Sequence, residues 1–167
     1  MSLSIYDLTV PTLQRGLRTL SFYLDRAQAF ADERKFEVSV LLNARLAPDM
    51  LPFTGQVQRA SDTAKGGVAR LTGVEAPGFP DTETTVAELK ERLAKTIAFL
   101  DGVTRAQFEG SAERVIEFRA LPTMPGAAHL VAFVLPNFFF HLATAHDILR
   151  HNGVAIGKRD YLGANNP

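Results

Sequence analysis

Thr84-Thr85-Val86-Ala87-Glu88-Leu89-Lys90-Glu91-Arg92-Leu93-Ala94-Lys95-Thr96-Ile97-Ala98-Phe99-Leu100-Asp101-Gly102 is the stretch that decides the fold class. Thr85 and Glu88 stand at capping-box spacing, where a hydroxyl takes a free helical N–H and the glutamate reaches back. Val86, Leu89, Leu93, Ile97 and Leu100 then recur in steps of three and four, which sets them on one face of a helix, and Gly102 ends it. A helix with one apolar stripe must bury that stripe against another element.

Upstream, Phe53, Val57, Ala60, Ala64, Val68 and Leu71 give a second long stripe. Its helix is expected to start at Asp49, a capping carboxylate, with Pro52 in the first turn and Gly73 as a left-handed terminator. Gly66-Gly67 inside it costs about 2 kcal/mol against alanine, so close packing or a bend is expected there. Further upstream, Leu13, Leu17, Leu20, Leu24, Ala27 and Ala31 predict a helix from near Pro11 to about Lys35, and Ser39 to Leu46 a short helix before Pro48. Ala76-Pro77-Gly78-Phe79-Pro80-Asp81 reads as a surface connection.

Downstream, Thr104 to Phe108 predicts one extra turn. Arg114 to Ala120 alternates as a short strand does, but Leu121 to Gly126 holds two prolines and a glycine and no clean second strand. The last helix is expected from Asn137 to His151, with Phe138, Leu142, Ala145 and Leu149 inward. A helical turn over Ala127 to Leu135 precedes a break at Pro136. Four stripes without an alternating strand series predict an all-α four-helix bundle, one domain over residues 1–167, with a hairpin-like excursion between the third and fourth helices.

Eighteen basic residues balance eighteen acidic ones and there is no cysteine. That balance gives no field favouring nucleic acid, and the missing thiols remove disulfides, thiolate metal sites and cysteine nucleophiles. The expected setting is the cytoplasm, without membrane contact: the start lacks a signal-peptide pattern, and Leu130 to Leu142 is interrupted by Pro136 and Asn137.

His141 is the leading candidate for chemistry, because it sits about 70° from the centre of the last helix's apolar stripe, at the edge of the core. It suits a metal ligand or a general base, or else a histidine satisfied by one hydrogen bond. A helical zinc or nickel pair wants a second ligand three or four residues on, where Thr144 and Ala145 stand. His146 diverges from His141, His151 suits the helix C-terminus, and His129 lies in an irregular stretch. Gln56 and Thr63 flank the second stripe, so Gln56 is the better pocket candidate there, while Gln58 and Asp62 are expected to project away, Asp62 as a solvated pair with Lys65. Gly157-Lys158-Arg159-Asp160-Tyr161 reads as a tail docking across the bundle.

Leu135-Pro136-Asn137-Phe138-Phe139-Phe140-His141, the runs Ile148 to Gly153 and Gly157 to Gly163, and Leu42-Asn43-Ala44-Arg45-Leu46-Ala47-Pro48-Asp49-Met50 together resemble a bacterial domain-of-unknown-function family. That family is similar to the DinB/YfiT-like superfamily. The resemblance implies a four-helix bundle, a homodimer, and in some members a divalent metal on three histidines, or thiol transfer and isomerisation. It implies a fuller hairpin than Glu117 to Leu130 offers. The superfamily's metal pattern has one histidine on the second helix and a pair on the last; here His141 alone matches, which does not favour zinc or nickel. The reading is a small-molecule-binding bundle with a pocket near His141. The alternatives are a metal-dependent thiol-transferase type enzyme, in which His141 binds metal and Gln56 or Asp49 assists, and a non-catalytic interaction module. The homodimer is also motivated by Phe138-Phe139-Phe140, which cannot all face one core.

Overall fold

Ser4 opens the first helix, two turns earlier than Pro11. The computed structural model describes residues 4–118 and 121–164, and α1 runs from Ile5 to Arg34 with Pro11 inside it. The Ser4 hydroxyl accepts the Asp7 N–H at 3.2 Å and the Asp7 carboxylate accepts the Ser4 N–H at 3.2 Å. This capping box outweighs the proline, whose missing donor costs one hydrogen bond in a helix held by eleven buried residues.

α2 is only Ser39–Leu42, because the following chain turns to bring the Phe53 N–H onto the Ala44 carbonyl at 3.0 Å. α3, Phe53–Thr72, begins after Pro52 in the N-cap position. The expected start at Asp49 is therefore wrong: Asp49 is exposed in the preceding turn. Gly73 ends α3 in the left-handed region, at φ 82°. Gly67 answers the close-packing expectation, since a Cβ there would stand 2.6 Å from Val134 Cγ1. α4, Val86–Asp101, carries the expected Thr85–Glu88 capping box.

A 3-10 turn at Arg105–Phe108 leads to β1, Val115–Phe118, and β2, Leu121–Pro125. The expected hairpin-like excursion forms, with a second strand where the sequence offered no clean one. It pairs antiparallel with β1 in the register Val115↔Pro125, Ile116↔Met124 and Phe118↔Leu121. Its prolines are tolerated because a two-stranded ribbon has free edges. The end of the expected strand, at Arg119 and Ala120, lies outside the described residues.

Pro136 does not break the last helix. α5, Gly126–His129, passes through a π-helical segment, Leu130–Val134, directly into α6, Leu135–His151. The wider π turn accommodates a residue that cannot donate. The resulting helix, Gly126–His151, has an 18-residue window of mean hydropathy 1.5 and is long and apolar enough to cross a membrane by length and composition. Its inward residues Leu130, Val134, Phe138, Leu142, Ala145 and Leu149 are fully buried in the core shared with α1, α3 and α4. The tail docks across α1: Val154 and Ile156 are buried, and Arg15 donates to the Leu162 carbonyl at 3.2 Å. α7 is the single turn Lys158–Tyr161.

Candidate functional site

His141 on α6 and Gln56 on α3 meet across the helix seam, with His141 Nδ1 2.8 Å from Gln56 Oε1. Gln56 is 1% exposed and its Nε2 donates to the Leu51 carbonyl at 3.0 Å. That second bond fixes which end of the amide faces the histidine. An amide oxygen only accepts, so His141 Nδ1 carries the ring proton and Nε2 keeps its lone pair. Nε2 makes no hydrogen bond among the described residues. Burial pushes the imidazole down to about 4, and the Arg59 charge pushes the same way. Near neutral pH this ring is an uncharged acceptor.

Asp49 makes no hydrogen bond or ion pair among the described residues and does not join the pair. One turn beyond His141 stands Ala145, and one turn before it the Asn137 amide donates to Thr63 Oγ1 at 2.7 Å. Among the described residues no group of three or more His, Cys, Asp or Glu side chains converges as a metal set would. The residues present therefore do not fit the three-histidine centre that the superfamily resemblance implies. A cavity of about 280 Å³ opens at the start of α3, lined by Leu51, Pro52, Gly55, Gln58, Asp81 and Glu83, and neither His141 nor Gln56 lines it. A larger cavity, about 460 Å³, lies elsewhere, between α1 and α4 over Phe22, Leu93 and Ile97.

Three polar features escaped the sequence reading. Arg92, whose side chain is 1% exposed, pairs with Asp62 at 2.7 Å, Glu83 at 2.9 Å and Asp81 at 3.0 Å. It also donates to the Pro80 carbonyl and to Ser61. Gln58 and Asp62 thus belong to a buried network instead of projecting away, and Gln58 donates to Glu83 at 2.9 Å. Burial alone would raise the Glu83 carboxyl, but the Arg92 and Gln58 hydrogen bonds outweigh it and hold Glu83 below its ordinary value. The 74–85 connection is clamped to α3 and α4 by this arginine.

The second feature is Tyr23, fully buried, whose hydroxyl lies 2.7 Å from His146 Nδ1. Burial, then the Asp160 charge, raises the phenol, so it keeps its proton and donates. His146 and His141 indeed serve different neighbours. The third is His129, fully buried, whose Nε2 accepts from Arg70 Nε at 3.1 Å. Only a structure could find it, because its partner lies 59 residues away in the chain.

The sequence pattern described as Domain of unknown function (DUF1993) matches residues 5–162. No curated protein matches. The chain is similar to a crystal structure of a DinB family member protein from Shewanella denitrificans, at 45% identity and a TM-score of 0.91, over 95% of this chain and 92% of that one. A match over almost the whole described length, joined to a near-superimposable bundle, shows the family: this chain belongs to the DUF1993 family and has the DinB-like all-helical fold.

Proposed function

We propose that the protein is a DinB-like bundle that binds a small molecule through the His141–Gln56 pair. The observation that carries this reading is the neutral imidazole with its tautomer set by Gln56, leaving Nε2 as an acceptor without a donor among the described residues. A partly buried acceptor of this kind favours a ligand with a hydroxyl, amide or thiol hydrogen.

The test is a thermal-shift screen of the full chain over a panel of metabolites and low-molecular-weight thiols. A ligand that raises the unfolding midpoint of the wild type, and not that of His141→Ala or Gln56→Ala, supports the reading. A response identical in all three proteins overturns it. Elemental analysis of protein made without chelator or affinity tag adds a second arm. Stoichiometric zinc or nickel that disappears in His141→Ala would replace the binding reading with a metal-dependent enzyme. A cytoplasmic homodimer is part of the same proposal, supported by Phe140, 54% exposed while Phe138 is buried; a monomeric mass by light scattering at high concentration removes the dimer.

A further inference from the structure

Arg70 lies in the last turn of α3, about 21 Å along the helix from Gln56. It is half-buried, yet it forms no ion pair among the described residues. Its Nε is tied to His129 Nε2 at 3.1 Å, and its guanidinium lies over the Phe118 ring, 4.5 Å from the centroid. His129 is itself stacked on Phe133, with centroids 5.4 Å apart and planes at 25°. The guanidinium is thus held on one edge and one face, while its two terminal nitrogens make no hydrogen bond among the described residues.

Gly66 makes the room for this. A Cβ there would stand 3.2 Å from one terminal nitrogen and 3.4 Å from the other. Arg114 adds a second guanidinium at the same end of α3, 3.3 Å from where a Gly73 Cβ would be, again with no ion pair among the described residues. The carbonyl end of a helix offers about half a counter-charge, but two of its carbonyls are already taken, Ala69's by the Gly73 N–H and Val68's by the Thr72 hydroxyl. Neither arginine donates to a carbonyl of α3. His129 Nδ1, which must carry the proton because Nε2 accepts, is buried with no hydrogen-bond partner among the described residues.

A partly buried cation without a counter-charge costs free energy that an anion can recover, and a guanidinium held planar is suited to two parallel bonds to one oxyanion. We propose that the Arg70 fork, backed by His129 and by Phe118 of β1, binds the carboxylate or phosphate group of a small molecule. This site is separate from the His141–Gln56 pair.

The full chain, titrated with inorganic phosphate or with succinate at an ionic strength held constant by sodium chloride, tests it by thermal unfolding and by the Arg70 Nε–H resonance. One or both anions should raise the midpoint saturably beyond chloride and shift that resonance. A response to phosphate alone assigns a phosphate group, and a response to succinate alone assigns a carboxylate. Arg70→Met should lose about tenfold or more in apparent affinity. That variant also strands His129 Nε2, so Gly66→Ala supplies an independent arm: it improves helix propensity and keeps the arginine, but its methyl crowds the fork and makes it shift by a few tenths of an ångström. It should unfold no earlier than the wild type and respond more weakly to the anion. An equal response in all three proteins, or none beyond chloride to either anion, overturns the proposal.

Discussion

Arg92 and Arg70 are both arginines that the bundle draws out of water, and it treats them in opposite ways. Arg92 is surrounded by Asp62, Asp81 and Glu83 and two further acceptors. Arg70 has one neutral imidazole and an aromatic face. The same contrast holds between faces of the molecule. On the α3–α4 face each group of the Arg92 cluster has a partner. Where α3 meets the continuous α5–α6 helix, His141 Nε2, His129 Nδ1 and the Arg70 fork have none among the described residues. A saturated polar cluster fixes a structure, whereas atoms left without partners on a rigid frame are where a ligand gains most.

The largest effect should come from Arg92→Met, which leaves the partly buried Glu83 without a cation and Asp62 and Asp81 with only Arg59 and Lys65. It should lower the unfolding free energy by about 3–5 kcal/mol in urea denaturation, and a loss below about 1 kcal/mol would erase the contrast. Glu83→Gln keeps the shape and removes one charge, at a cost of about 2 kcal/mol. Combined with Arg92→Met the two losses should fall short of their sum, since both act on one network.

Acid should separate the two faces. His141 titrates near its ordinary 6.5 when unfolded and at about 4 when folded, so the unfolded chain takes up the proton first. Its stabilising share is complete above pH 6.5 and declines as pH falls towards 4, on the order of 1–2 kcal/mol after allowance for solvent screening. His129 and His146 are lowered too, mainly by burial, and add in the same direction. Glu83, lowered from 4.5, contributes stability that is present above that value and is lost only below it. Stability measured against pH should therefore fall in two stages, and His141→Gln should flatten the first without moving the second. The smallest effect belongs to Arg70→Met, within about 1 kcal/mol in anion-free buffer; a loss as large as that of Arg92→Met would make Arg70 a structural residue.

The bundle was legible because its information is local. Leu89, Leu93 and Leu100 on one helix, or Val57, Ala64 and Leu71 on another, declare their faces through spacing alone, and all are buried. Pairing His141 with Gln56 was within reach for the same reason, since each sat at the edge of a stripe. Pro11, Asp49 and Pro136 misled because a proline or a capping carboxylate is a local preference that neighbouring residues can override: the Ser4–Asp7 box, the Phe53–Ala44 bond and the π segment did so. The Arg92 network and the Arg70–His129 contact join residues far apart in the chain, and no periodicity encodes which charge meets which.

The uncharged His141 acceptor carries the functional account, and nitrogen-detected NMR of the imidazole rings in the full chain tests it most directly. The expected result is a proton on Nδ1, an unprotonated Nε2, and no charging until the pH approaches about 4. A ring with the proton on Nε2, or one that titrates near 6.5, would contradict it.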